Sequence, residues 1–198
     1  MRTRLFGLFA GFLAILVGTP TSAFAQGSFS VLVNGFIPAG SPKFIYDCYV
    51  GPASLSEMKI SPGFGGEVRF GQNGRATFGL GYYSWRASSS SSRATDKVRA
   101  NEVTGTLYIN LVKKGPVRPF LGGGGGVAMV KDYHTYNEDT YRQRVFYPAG
   151  TKAEFSTVVL TIRGLGGVNI YPAKHVILSL GGGYINGPAL NVGVGFTF

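Results

Sequence analysis

Beyond its first 25 residues the chain has no uncharged apolar run approaching the roughly 20 residues that a membrane-crossing helix needs, so any membrane span has to be built from strands. Cysteine occurs once, as Cys48, which rules out an intramolecular disulfide. Charged residues are only 14% of the chain, and acids are the scarcer kind, 9 against 19 lysines and arginines, for a net charge of +10. No helical period of any length appears, and no spacing of residues calls for a metal or a cofactor. Glycine, by contrast, is plentiful at 31 of 198 residues, about double the usual share of roughly 7%. Aromatic and β-branched residues alternate with those glycines, so the chain is not of low complexity.

The N-terminus reads as a secretory signal. Arg2 and Arg4 precede thirteen uncharged residues from Leu5 to Val17, and Ala23 and Ala25 form a small-residue cleavage pattern. The expected division is therefore a signal peptide over residues 1–25, removed before Gln26, and one domain over residues 26–198. No cysteine stands directly after the cleavage point, so a lipoprotein is not expected. The exported domain carries 17 basic and 9 acidic residues, or +8. Export argues against nucleic acid as the acidic partner and favours anionic lipid phosphates.

Eight stretches alternate with the period of a strand. They are Ser28 to Phe36, Lys59 to Gly71, Arg75 to Trp85, Val98 to Val112, Arg118 to Val130, Glu154 to Tyr171, Val176 to Ile185 and Leu190 to Phe198. In the last, Leu190, Val192, Val194, Phe196 and Phe198 share one parity, and Asn191, Gly193, Gly195 and Thr197 the other. Gln72-Asn73-Gly74 signals a tight hairpin. Residues 37–58, 86–97 and 131–152 read as long polar loops, the second of them flexible because it holds five consecutive serines, Ser88 to Ser92. The remaining connectors are short.

Long connectors on one side and short ones on the other predict an all-β, eight-stranded antiparallel up-and-down transmembrane β-barrel, with both termini on the short-turn side. A lipocalin-like soluble barrel has the same strand number with its oily residues turned inward, and the alternation alone permits either orientation. Three features favour lipid. Loop length is asymmetric, and the chain given stops on Phe198. Aromatics also bracket the strands as interfacial girdles would, with Phe70, Phe78, Phe120, Tyr171 and Phe196 at one end and Tyr82, Trp85, Phe155 and Tyr184 at the other.

With its Ala23-Phe-Ala25 signal, eight amphipathic strands and closing Val-Gly-Val-Gly-Phe-Thr-Phe, the chain resembles the outer-membrane β-barrel domain family of opacity proteins and related surface antigens. That family is similar in architecture to the OmpA transmembrane domain. The resemblance covers the whole exported domain. It implies location in the bacterial outer membrane, contact with outer-membrane lipids and lipopolysaccharide, and a structural, adhesive or antigenic role. It also implies that the barrel assembly machinery reads Val192, Val194, Phe196 and Phe198. The periplasmic peptidoglycan-binding domain of OmpA-type proteins has no counterpart in this length of chain.

Several groups are candidates for chemistry. Side chains just fill an eight-stranded barrel, and ionised groups inside it must be paired. Glu67, Arg69, Glu102 and Arg163 fall on the polar parity, so a lumenal network is expected, with Glu102 and Arg163 as the upper pair and Glu67 and Arg69 below. Such a network plugs the lumen; the alternative is a narrow porin-like channel for ions or small apolar solutes. Gly122 to Gly126 is read as strand glycine giving room to an aromatic such as Tyr83 or Tyr108, since no helix follows to bind a dinucleotide. A lipid A-modifying enzyme is the weaker alternative: His175 and Ser179 do not have the spacing of a catalytic arrangement, and His134 beside Asp132 has no distinctive serine near it beyond the polyserine run, so no enzyme activity is expected. Tyr133, Tyr136, Tyr141, Arg142 and Arg144 are candidate contacts for a host or cell-surface ligand. Cys48 is placed in the first surface loop. Arg75, Lys113, Lys114, Arg118 and Lys174, at the short-turn end, are set against inner-leaflet phosphates.

Overall fold

The computed structural model describes residues 29–38, 59–72, 74–142, 145–185 and 188–198. The signal segment, Cys48 and Arg144 lie outside them. Eight long strands form the ring: β1 (Phe29–Pro38), β2 (Gly63–Phe70), β3 (Ala76–Ser90), β4 (Ala94–Asn110), β5 (Val117–Tyr136), β6 (Lys152–Ala173), β7 (Val176–Ile185) and β8 (Pro188–Thr197). Each pairs antiparallel with its sequence neighbour. Closure comes from β1 against β8, with Val33 opposite Val194 and Ser30 opposite Thr197. At the seam Phe198 donates its N–H to the Phe29 carbonyl, and the two rings stack with centroids 4.9 Å apart. The expected all-β, eight-stranded antiparallel barrel is the fold observed.

Alternation decides which side chain enters the lumen. Glu102 is fully buried while Val103, beside it, is 54% exposed. Outward positions carry Phe29, Val31 and Val33 on β1, Leu80 and Tyr82 on β3, Val103, Leu107 and Ile109 on β4, and Val158, Leu160 and Ile162 on β6. The outward face of β8, Leu190 to Phe196, continues the same belt. On β6 the belt runs from Ile170 to Val158, twelve steps of roughly 3.3 Å. At a strand tilt of about 45° that spans about 28 Å, close to the hydrocarbon thickness of a bilayer.

The short turns follow local chemistry. Gly71 ends β2 with φ +82°, a left-handed conformation that costs glycine little, and its carbonyl accepts a hydrogen bond from the Gly74 N–H at 2.9 Å. The opposite end departs from the sequence reading. The serine run is not a flexible loop: β3 continues through Ser90 and β4 begins at Ala94, so only residues 91–93 turn the chain. Strands β5 and β6 also run past their expected ends, and a small hairpin, Thr140–Arg142 with Val145–Tyr147, joins them. Because β7 pairs with β6 only as far as Arg163, the upper parts of β3 to β6 stand above the ring as a four-stranded tongue. Lys59–Ile60 lies against the β3 edge of the tongue.

Polarity inverts along these long strands. In the belt the apolar residues face out and the polar ones in. Above it Trp85, Ala87, Val98, Ala100, Ala128, Val130 and Val159 are buried on the inner face, and Arg86, Lys97 and Arg99 are exposed on the outer one. The aromatic girdles are corrected as well, by the inversion for Trp85 and Phe155 and by inward parity within the barrel for Phe120. Trp85 and Phe120 are buried inside, and Phe155 sits on the inward parity of the tongue.

Candidate functional site

In the middle of the lumen Glu67 collects hydrogen bonds from four side chains. Tyr108 donates its hydroxyl to Oε1 at 2.7 Å, while Oε2 takes Arg69 Nη2 at 3.1 Å, Asn34 Nδ2 at 3.2 Å and the Tyr83 hydroxyl at 3.4 Å. Arg69 reaches across the barrel with Nη1 donating to Asn169 Oδ1 and Ser179 Oγ, and its guanidinium lies 4.3 Å from the centre of the Tyr108 ring. Above this set Arg163 Nε donates to Glu102 Oε1 at 3.4 Å, and its guanidinium covers the Tyr83 ring at 3.9 Å. Tyr83 thus touches both ion pairs. Strands β1, β2, β3, β4, β6 and β7 are cross-linked by buried groups that would each be costly alone.

Glycine makes the room for these rings. A Cβ at Gly79 would collide with Glu67 Oε1 and meet the Tyr108 ring, and one at Gly122 would press on the same ring. Of the glycine run Gly122 to Gly126, it is therefore Gly122 that seats an aromatic, and the ring is that of Tyr108. Tyr83 lies over Gly65 and Gly81 instead.

The four charged residues are those the sequence singles out for the lumen; Asn34 and Asn169 join them unforeseen, Ser179 is considered there only beside His175, and Tyr83 and Tyr108 only as rings near glycine. All five carry the signal that marked the charges, a polar group on the inward parity. Ser179 is buried under Arg69, whereas His175 sets Nδ1 2.9 Å from the Thr197 carbonyl at the surface. These two do not meet.

A second polar cluster lies on the inner face of the tongue. Ser89, Asp96 and His134 stand in one register row across β3, β4 and β5, and His134 Nδ1 lies 2.5 Å from Asp96 Oδ1. The carboxylate occupies the middle strand, which puts the serine and the imidazole two strand spacings apart, about 10 Å. A nucleophile relay needs the imidazole between the other two. Asp132, two residues from His134, has a buried Oδ1 with no hydrogen-bond partner among the described residues. Desolvation pushes its carboxyl above the usual range, the nearby Asp96 adds to the rise, and His134 opposes it. Among the described residues no three His, Cys, Asp or Glu side chains gather to hold a metal ion.

The surface candidates separate. Tyr133 faces outward with Arg99 5.8 Å from its ring. Tyr136 turns inward, 7% exposed, packed between His134 and Tyr147, so it has little surface to offer a ligand. Tyr141 and Arg142 lie in the small hairpin. Val192, Val194, Phe196 and Phe198 all stand on the outer wall, each more than half exposed.

No protein-family model and no curated protein matches the sequence. Among solved structures similar to it are the following three. The attachment invasion locus protein Ail of Yersinia pestis is 12% identical, with a TM-score of 0.48 over 87% of this chain and 99% of that one. Neisserial surface protein A is 14% identical, with a TM-score of 0.44 over 86% and 97%. The N-terminal β-barrel domain of Pseudomonas aeruginosa OprF is 14% identical, with a TM-score of 0.41 over 86% and 97%. At such identities the likeness extends to the fold and no further.

Proposed function

We propose that this chain is a bacterial outer-membrane β-barrel whose lumen is closed by its own side chains and whose role is structural or surface-interactive, in adhesion or as an antigen. The observation that carries the reading is the apolar belt, which crosses all eight strands at bilayer height and is exposed among the described residues. A soluble barrel would place its charges on that wall, and here Glu67, Arg69, Glu102 and Arg163 are inside instead. In this reading residues 1–25 direct export, the barrel assembly machinery recognises the outward face of β8, and outer-membrane lipids with lipopolysaccharide surround the belt. The tongue rises into the space where a host or cell-surface ligand would meet it.

Two layers close the lumen: the ion-pair network, and above it the apolar set from Trp85 to Val159. Both would have to part for ions to pass. The test is cell fractionation followed by planar-bilayer recording of the purified chain. The reading expects heat-modifiable protein in the outer-membrane fraction and no steady current. Recovery in the soluble periplasm would remove the membrane claim, and steady single-channel steps would replace the plug with a pore.

A further inference from the structure

The outward face of the tongue changes from apolar to cationic within one register step. Tyr82, Val103, Val127 and Leu160 stand side by side across β3, β4, β5 and β6, and the next row up is Ser84, Asn101, Met129 and Val158. The row above that is Arg86, Arg99, Lys131 and Ser156. Arg86 is therefore directly opposite Arg99, and Arg99 directly opposite Lys131. Like charges facing each other on adjacent strands repel. Lys97 adds a fourth cation one row higher on the same face, opposite Tyr133.

Among the described residues little offsets them. Glu154 approaches Lys131 at 3.5 Å, with both side chains about half exposed. Asp96 and Asp132 alternate with these cations along the strands and so face the opposite, concave side. Among the described residues no carboxylate comes within ion-pair distance of Arg86, Lys97 or Arg99. A row of cations that the described residues leave uncompensated points to an anion from elsewhere.

We propose that Arg86, Lys97, Arg99 and Lys131 form a docking site for the phosphate groups of an anionic glycolipid headgroup in the outer leaflet. The inference rests on the membrane reading above and names residues and a ligand class for its upper boundary. Height selects a lipid over a soluble phosphate. The row lies immediately above the last apolar positions, Met129 and Val158, so a molecule whose phosphates meet the arginines lays its acyl chains on the belt beneath. Guanidinium groups suit phosphate because their fork can engage two oxygens at once.

The full chain, refolded in nanodiscs of neutral phosphatidylcholine doped with bisphosphorylated lipid A, provides the test, read as lipid A retained per barrel by native mass spectrometry. Arg86→Gln/Arg99→Gln should lower retention by on the order of tenfold or more, because basic groups at a membrane surface attract anionic lipid additively. Arg93→Gln/Lys152→Gln, exposed cations at the tip of the tongue and farther from the belt, should retain as much as the wild type. Equal retention by the Arg86/Arg99 variant would overturn the site, as would equal retention of dephosphorylated lipid A. Displacement by inorganic pyrophosphate at matching concentration would overturn the lipid assignment. Heat-modifiable migration of each sample shows separately whether the barrel has inserted, so loss of binding and failure of the membrane reading cannot be confused.

Discussion

Replacing Glu67 with Gln removes one charge from the centre of the lumen while changing volume hardly at all. Four donors converge on that carboxylate, and one of them is Arg69, itself 3% exposed. In Glu67→Gln the guanidinium stays buried without its counterion, and breaking a buried pair from one side typically costs about 3–5 kcal/mol. The amide can still accept from Tyr108, so the lower end, about 3 kcal/mol, is expected. With a urea dependence of roughly 1–3 kcal/mol per molar, the unfolding midpoint should fall by about 1–3 M. Trp85 is the only tryptophan and lies buried at the inner face just above the network, so its fluorescence follows the lumen as it opens. Glu67→Gln/Arg69→Met should recover most of the loss, since replacing both partners by groups of similar size leaves no orphan charge. A single variant within about 1 kcal/mol of wild type would mean that the pair behaves as if solvated, and the sealed lumen would have to be abandoned.

Three further outcomes follow from the same geometry. Arg163→Ala should leave planar-bilayer recordings silent, because the buried apolar layer from Trp85 to Val159 is the upper half of the proposed plug; steady current in the variant would show that the arginine itself is the gate. Deleting Phe198, which stacks on Phe29 across the seam, should reduce the yield of heat-modifiable barrel in the outer membrane, and an unchanged yield would leave it as an ordinary belt residue. Asp132 holds its proton more tightly in the folded tongue than in the unfolded chain, so its contribution to stability falls as pH rises through the ordinary carboxyl value and levels off above the raised one. Asp132→Asn should therefore slow amide hydrogen exchange in β4 and β5 at about pH 7 and leave it unchanged near pH 3, below the ordinary carboxylate value of about 3.9; equal exchange at both would show that the carboxylate is not strained.

Where lipid is the proposed neighbour, the sequence was transparent. From Leu190 to Phe196 every second residue is apolar and the residues between them are small or polar, so β8 could be read to within two residues at its start. The same holds for Glu67 and Arg69, and for Glu102 and Arg163, because a charge on the inward parity of a narrow barrel has few places to go. Strand ends were hidden by the change of neighbour above the belt. On β3 the apolar parity switches between Tyr82, facing out, and Trp85, facing in; on β5 it switches between Met129 and Val130. A template that follows one parity stops at each switch, which is why Ser88 to Ser90 and Lys131 to Tyr136 read as loop although they continue the ladder. The part of Asn34, Asn169 and Ser179 in the network was hidden for a different reason. A short polar side chain pointing inward is ordinary, and its role depends on which arginine or carboxylate the closed ring brings opposite it.

The central claim, that the outer wall meets lipid while the tongue meets water, is tested most directly by spin labels in a Cys48→Ser background, one each at Val192, Thr104 and Ser88, with the barrel in bilayers. Relaxation by oxygen, which partitions into lipid, is compared with relaxation by a water-soluble nickel chelate. The account predicts that Val192 responds to oxygen, Ser88 to the chelate, and Thr104, inside the lumen, weakly to both. A Val192 label relaxed by the chelate as strongly as the Ser88 label would contradict it.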